Sequence, residues 1–175
     1  MPVQPHPRRG RTRRAVRPRR DAAARGSREE RSFEVRTCTA DDFDQVYRLL
    51  RQLWPRKRLS RSKLRAVYDL RLDSPFSQHL CVTEGDRLVG FAALTFENSL
   101  WMQGRLAIVE EFVVEESYRG RGIGTRLLEA AVAMARARGA RRVELDSATH
   151  RTEAHAFYRQ RGFENRGFVF SKPLL

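Results

Sequence analysis

The sequence predicts a single α/β (α+β) domain in which helices cover both faces of a mixed central β-sheet. Its 175 residues, 41% hydrophobic and 32% charged, suit one globular domain and are too few for two. Apolar periodicity switches between the strand and helix periods in the order β-α-α-β-β-β-α-β-α-β. Turn and capping residues separate the elements. We therefore expect one folded domain over residues 32–175.

The first three predicted elements are a strand and two helices. Residues 33–36 alternate apolar and polar side chains like a short strand. Thr39 resembles an N-cap, and the helix that follows it ends at Pro55. Ser60 can cap a second helix, which ends before Pro75.

Three strands in succession form the predicted centre of the sheet. They cover residues 80–83, 88–96 and 106–114, and residues 84–86 form a turn between the first two. A long helix then covers residues 122–138, with apolar side chains at helical spacing, and Gly139 ends it.

The remaining elements are short. Residues 143–145 form a strand, and residues 153–161 form a short helix that Gly162 ends. Residues 168–170 are predicted to form a final strand.

Positive charge is concentrated at the N-terminus. Residues 1–31 hold eleven Arg against three acidic residues, a net charge of +8 out of +14 for the whole chain. Because this segment has few large apolar groups, we predict that it is a disordered Arg/Pro-rich tail. A flexible appendage is favoured over a nucleic-acid arm, a transit peptide or an electrostatic tether, and nucleic acid could bind only through this tail.

The remaining composition indicates a cytoplasmic protein that does not enter a membrane. Cys38 and Cys81 form no CxxC pair, and Cys81 lies in an apolar run typical of a buried thiol. No apolar run approaches the roughly 18 residues of a membrane helix.

A glycine-rich turn between a strand and a helix is the strongest local motif. Gly120, Gly122 and Gly124 alternate with Arg119 and Arg121 directly before the long helix. Glycines let the backbone approach a ligand, and the first amides of a helix have no internal partner. The turn therefore predicts a phosphate or pyrophosphate site. It is not a Walker loop, which needs a Gly-Lys pair, nor a dinucleotide fingerprint, which needs a third glycine at position 125.

The motif Arg119-x-x-Gly122-x-Gly124 resembles the acetyl-CoA motif of the GNAT superfamily of N-acetyltransferases. Residues 154–163 resemble the closing motif of the same family, a short helix with Phe-Tyr followed by Gly-Phe. Residues 111–114, 150–158 and 168–172 look closest to small-molecule acetyltransferases of the aminoalkylphosphonate type.

This resemblance implies an enzyme that uses acetyl-CoA as co-substrate and transfers its acetyl group to a primary amine. The strand that ends at Val114 would splay from residues 143–145, and pantetheine would pair there with the Val114 backbone. The thioester would lie beside Tyr158. The residues implied in acetyl-CoA binding are Val113, Val114, Arg119, Gly120, Arg121, Gly122, Ile123, Gly124 and Thr125.

Amine attack requires a base, and two carboxylates are candidates. Glu110 and Glu111 are adjacent on a strand, so we expect them to face opposite ways and only one to enter the cleft. The resemblance favours Glu111, with Glu110 in reserve. Tyr158 would donate a hydrogen bond to the departing thiolate, because a phenol near ~10 is a weaker acid than a thiol near ~8.5.

The acceptor site and the identity of the acceptor stay open. A protein or RNA amine, or a nucleic-acid-binding protein with a degenerate domain, remains an alternative to a small-molecule amine. A homodimer is left open, and no metal site is expected because His155 has no second ligand at suitable spacing. The candidate acceptor-binding residues are Trp54, Trp101 and His155, with Arg56, Lys57 and Arg58 beside them.

Overall fold

The computed structural model describes residues 32–174, and the predicted N-terminal tail lies outside them. The described part folds into five strands and four α-helices. The strands are β1 (Phe33–Thr37), β2 (Ser77–Glu84), β3 (Arg87–Ser99), β4 (Gly104–Val114) and β5 (Ala140–Leu145). The helices are α1 (Phe43–Leu53), α2 (Arg61–Leu72), α3 (Ile123–Ala137) and α4 (Thr152–Arg159).

The caps predicted for the first two helices form. The Thr39 backbone amide donates to Asp42 at the start of a short 3-10 turn that leads into α1. The Ser60 hydroxyl accepts from the Lys63 amide at the start of α2. Both contacts satisfy amides that a helix N-terminus would otherwise leave unpaired.

The sheet is mixed, as predicted. The strand order is β1-β2-β3-β4-β5, antiparallel throughout except for the parallel pair β4–β5. One face packs against α3 through Ile123, Leu127 and Ala131, and the other face packs against α1 through Phe43 and Val46. The helices therefore bury both faces of β2, β3 and β4.

The final strand predicted over residues 168–170 does not form. No strand follows α4 among residues 160–174, and Phe168 and Phe170 are 80% and 92% exposed. A β-prone sequence forms a strand only where a pleated, half-buried surface receives it. Arg166 stacks on Trp101 instead, 4.9 Å from the ring centroid, and within the described chain β5 stays the edge of the sheet.

Two properties of the described residues bear on the environment of the protein. Cys38 and Cys81 are free and buried, as the sequence predicted for Cys81. No helix within residues 32–174 combines the length and apolar character needed to cross a bilayer.

Candidate active site

A β-bulge in β4 places two neighbouring carboxylates on one side of the sheet. The pairing register with β3 shifts by one residue between Ala93 and Leu94, and Glu110 is the extra residue. A bulge interrupts the alternation of side chains along a strand. Arg71 Nη1 ion-pairs with Glu110 and also lies 3.7 Å from Glu111 Oε2. The expectation that Glu110 and Glu111 face opposite ways is therefore wrong.

The two carboxylates are held very differently. Glu110 accepts hydrogen bonds from Arg71 Nη1 and from the Thr95 hydroxyl. The Arg71 guanidinium is fixed further by its Nε, which donates to Ser77 Oγ at 3.1 Å. Within residues 32–174, no hydrogen bond reaches the carboxylate of Glu111, whose side chain is half-buried at 20% exposure.

Burial sets the acidity of Glu111. The pKa of this carboxyl is raised to about 7. Desolvation is the main cause, and the negative charges of Glu110 and Asp146 act in the same direction. The cations Arg71 and Lys57 oppose the shift. A carboxyl with this pKa can accept a proton near neutral pH, which an ordinary glutamate does poorly.

Tyr158 lies in an aromatic cluster beside the bulge. Its ring centroid lies 6.2 Å from that of Phe112 on β4, 5.3 Å from Phe157 and 5.9 Å from Phe163. Among the described residues, the Tyr158 hydroxyl has no hydrogen-bond partner. The phenol is thus packed by its ring and has a free polar end.

Asp146 connects Tyr158 with Glu111. Burial raises the pKa of Tyr158, Arg151 opposes the shift, and Asp146 adds to it. The same Asp146 raises the pKa of Glu111. The two residues favoured as catalytic by the sequence therefore lie around one carboxylate at the end of β5.

The pairing between β4 and β5 ends before the glycine-rich loop. The last parallel pair is Val109 and Leu145, where β5 ends, and among the described residues β4 continues unpaired on this side to Val114. The splay of the two strands that the resemblance implied stays a prediction. Beyond Val109, α4 approaches β4 and the start of α3. A Cβ on Gly124 would lie 3.4 Å from Phe157 and 3.6 Å from Val114.

The glycine-rich loop is open at the N-terminus of α3. Gly120 and Gly122 have φ angles of 76° and 78°, a left-handed conformation that favours glycine. Gly122 caps α3 with no side-chain hydrogen bond, and no acidic residue lies in the first turn. Nothing lies within 4 Å of a Cβ placed on either glycine. The start of α3 therefore has open space beside its glycines, and its amides carry a positive potential.

The two arginines of the loop contact their own neighbourhood. Arg121 stacks on Tyr118 at 4.7 Å, and Arg119 Nε donates to the Val114 carbonyl at 3.4 Å. A ligand that pairs with the Val114 carbonyl would replace the long Arg119 contact.

A buried carboxylate anchors this loop, and the sequence gave no reason to single it out. Glu115 is 6% exposed and accepts hydrogen bonds from two nitrogens of Arg87, while Arg48 Nη1 lies 2.9 Å away. The Tyr118 hydroxyl donates to Glu84 at 2.6 Å. These contacts fix the chain between β4 and α3.

Two of the three candidate acceptor residues lie at the end of α1 and on α4, two helices that a hydrogen bond connects. Trp54 caps the end of α1, and Lys57 Nζ lies 5.4 Å from its ring centroid. Arg151 Nη2 donates to the Leu53 carbonyl at 2.8 Å and so connects α1 with α4. His155 on α4 lies 3.4 Å from the carbonyl oxygen of Ser147 through its Nε2.

Trp101 lies elsewhere. It occupies the turn between β3 and β4, and the length of β4, about 30 Å, separates this turn from Val114. Trp101 is 66% exposed and contacts Arg142 and Arg166. The structure therefore does not bring Trp101 together with Glu110 and Glu111.

One group of potential metal ligands lies away from these residues. Ligand atoms of Cys38, Asp42 and Cys81 lie within 4.8 Å of one another and are buried. Asp42 already accepts two hydrogen bonds from Arg36 at 2.7 Å and one from the Thr39 amide. This saturated carboxylate stabilises the junction of β1 and α1 and is a poor metal ligand.

The glycine-rich loop at the start of α3 has the features of a phosphate-binding turn, and a carboxylate with a raised pKa lies on the strand that leads to it. Residues 43–163 match the model of a family described as the acetyltransferase (GNAT) family. The chain belongs to this family. It is an acetyl-CoA-dependent N-acetyltransferase.

Individual relatives agree with the family. An aminoalkylphosphonate N-acetyltransferase of Salmonella typhimurium is 30% identical over 141 residues, 81% of this chain and 91% of the relative. A glucosamine 6-phosphate N-acetyltransferase of Trypanosoma brucei brucei is 30% identical over 133 residues, 75% of this chain and 88% of the relative. The solved structure of a Trypanosoma brucei acetyltransferase is 26% identical, with a TM-score of 0.70 over 82% of this chain and 100% of its own.

Proposed function

We propose that this enzyme acetylates the primary amine of a small molecule by direct attack, with Glu111 as the general base. The observation on which the proposal rests is the half-buried Glu111 carboxyl, which has no hydrogen-bond donor among the described residues, contacts Arg71 at 3.7 Å and has a pKa of about 7. It lies beyond Val109, where the pairing of β4 with β5 ends.

The residues of the loop fit the diphosphate of acetyl-CoA. Two left-handed glycines, an uncapped helix and an acid-free first turn leave amides free to bind an anion. Acetyl-CoA supplies the acetyl thioester. The residues we propose to hold it are Val113, Val114, Arg119, Gly120, Arg121, Gly122, Ile123, Gly124 and Thr125.

Glu111 would make the amine nucleophilic. An alkyl ammonium has a pKa near ~10.4 and attacks only after it loses a proton. Glu111 is ionised above a pH of about 7 and can take this proton directly or through a water molecule. Glu110, bound to Arg71, is a weaker candidate because its lone pairs already accept hydrogen bonds.

Tyr158 would stabilise the sulfur as charge develops on it. Burial raises the pKa of this phenol above its usual value, so it is a weaker acid than the thiol. Full proton transfer from Tyr158 is therefore uphill, and a hydrogen bond from its hydroxyl to the thiolate is the step we propose.

We propose that the acceptor bears a phosphonate or phosphate group besides its amine. The names of two relatives give acceptors of this kind, an aminoalkylphosphonate and glucosamine 6-phosphate. Arg56, Lys57 and Arg58 follow α1 beside Trp54, and Lys57 is close enough to lower the pKa of Glu111. These cations could bind the anion while the amine faces Glu111.

A panel of amines tests the acceptor. The full chain is assayed by release of the coenzyme A thiol with aminoalkylphosphonates and hexosamine 6-phosphates, each paired with the same amine lacking its anionic group. We expect turnover with at least one anionic amine and a value of kcat/KM at least tenfold lower for its neutral partner. Faster turnover with peptides or RNA, or equal rates within each pair, would contradict the proposed acceptor.

The compartment follows from the cysteines. Cys38 and Cys81 are both free thiols, which persist in a reducing environment. We therefore propose that the reaction takes place in the cytoplasm.

A further inference from the structure

Arg71 extends from α2 and contacts both carboxylates of the pair, Glu110 and Glu111. The residue belongs to the last turn of α2, and its side chain is 20% exposed. Its Nη1 contacts both Glu110 and Glu111, and its Nε is fixed by Ser77. One guanidinium nitrogen therefore serves two adjacent carboxylates unequally.

This arrangement is poorly suited to stability alone. Arg71 Nη2 is buried and has no hydrogen-bond partner among residues 32–174. An unpaired buried donor destabilises the fold. The Glu111 carboxylate, 3.7 Å from Arg71 Nη1, receives no direct hydrogen bond from the same guanidinium.

The bulge explains why a cation is needed here. Two carboxylates on successive residues of one strand side repel each other at close range. Arg71 pairs with Glu110, which directs the Glu110 carboxylate at α2. The partial contact with Glu111, at 3.7 Å, compensates some of the repulsion without occupying the oxygen lone pairs.

We infer that Arg71 is a positioning residue of acetyl transfer, which holds Glu110 by an ion pair and thereby leaves Glu111 free to accept the proton of the amine. The inference rests on the proposed role of Glu111 as the base. It assigns Glu110 a role as the partner of Arg71 rather than as a second base.

The groups that face Glu111 come from four parts of the fold. Arg71 lies on α2, Glu110 on the same strand, Lys57 between α1 and α2, and Asp146 directly after β5. Arg71 and Lys57 lower the pKa of Glu111, and Glu110 and Asp146 raise it. Removal of Arg71 and removal of Glu110 must therefore move the ionisation of Glu111 in opposite directions.

The pH profile of kcat/KM tests this opposition. With Arg71→Met, we expect the acidic limb to move to higher pH by about one unit, because a neighbouring cation is lost. With Glu110→Gln, we expect the limb to move to lower pH by about one unit, because the negative charge is lost and Arg71 can turn to Glu111. Arg71→Lys should shift the limb less than Arg71→Met does, because lysine keeps the charge but cannot bind Ser77 and Glu110 together.

Controls separate this effect from loss of folding. Arg65→Met makes the same chemical change on the same helix, at a residue that pairs with Asp69, and should leave the profile unchanged. Circular dichroism reports whether each variant folds, and Glu110→Gln provides the test if Arg71→Met does not fold. Equal profiles for wild type and Glu110→Gln, or shifts of both variants in one direction, would overturn the inference.

The variant Glu111→Gln distinguishes failure of the inference from failure of the proposed function. If Glu111→Gln keeps wild-type turnover, Glu111 is not the base and the proposed function is wrong. If Glu111→Gln loses turnover but the profiles of the Arg71 and Glu110 variants do not move, only the role of Arg71 is wrong.

Discussion

Glu111 on β4 and Glu115 directly after it both face arginines, yet the pKa of Glu111 is raised and the pKa of Glu115 is lowered. Glu115 accepts hydrogen bonds from Arg87, and Arg48 is close by, which lowers the pKa of Glu115. Glu111 faces Arg71 at 3.7 Å, but Glu110 has taken that guanidinium, and burial raises the pKa of Glu111 to about 7. Direct donors, rather than burial, decide between the two outcomes.

The comparison separates a structural carboxylate from a reactive one. A carboxylate saturated by arginines stays ionised and accepts no further proton near neutral pH. A half-buried carboxylate without hydrogen-bond donors, such as Glu111, can exchange a proton near neutral pH. The chain therefore anchors the loop at Glu115 and carries the proposed base four residues earlier, on β4.

The largest expected effect comes from removal of the reactive carboxylate. With Glu111→Gln, we expect kcat/KM to fall by about 10²–10⁴-fold, because an amide cannot accept the proton of the amine. The measurement is thiol release at a pH of about 8, where wild-type Glu111 is ionised. Glu97→Gln, at an exposed position on β3, is the matched control and should keep wild-type rates.

The same substitution should raise stability. The folded pKa of Glu111 is about 7, whereas an ordinary glutamate titrates near 4.5, so the folded state binds more protons between these values and loses stability as pH rises. Glu111→Gln removes this loss and should be more stable than wild type by up to about 3 kcal/mol above pH ~7, with the gain declining towards pH ~4.5. Urea unfolding at both pH values measures it, and a variant less stable than wild type at the higher pH would contradict the burial argument.

The structural carboxylate should behave in the opposite way. Glu115→Gln loses charge-assisted hydrogen bonds at a buried position, and we expect a loss of about 2 kcal/mol at neutral pH. Because the folded pKa of Glu115 is lowered, this contribution is present above the usual glutamate range and disappears as pH falls through the folded pKa. The difference between wild type and variant should therefore shrink on acidification.

Coenzyme A binding gives a second measure of Glu115. Its contacts fix the start of the glycine-rich loop, so Glu115→Gln should also weaken binding of coenzyme A in calorimetry. An unchanged affinity would separate Glu115 from the loop and leave it a role in stability alone.

The sequence predicted the parts of the fold that depend on local chemistry. The Thr39 and Ser60 caps, the helix after Gly122 and the order of strands and helices along the chain up to α4 all follow from short-range patterns, and the structure confirms them. The strand at residues 168–170 failed because an alternating apolar run says nothing about whether a neighbouring strand is available.

The sequence predicted individual residues of the site but not how those residues are arranged. Alternation along a regular strand predicted that only one of Glu110 and Glu111 could face the cleft. A bulge depends on the pairing with β3, and the sequence of one strand does not reveal it. Arg71 and Asp146 act on Glu111 from elements distant in sequence, where nothing local distinguishes them from surface charges.

The smallest expected effect concerns Tyr158. Burial raises the pKa of this phenol, as it raises the pKa of Glu111. Tyr158→Phe keeps the ring that packs on Phe112 and removes only the hydroxyl, which has no partner among the described residues. A hydrogen bond to a charged acceptor contributes about 1.5 kcal/mol or more, so we expect kcat to fall at least about tenfold while coenzyme A affinity and stability stay unchanged. Thiol release and calorimetry on the same preparation check this. Wild-type turnover would mean that Tyr158 packs the aromatic cluster and that Glu111 alone, of the two groups shifted by burial, takes part in the chemistry.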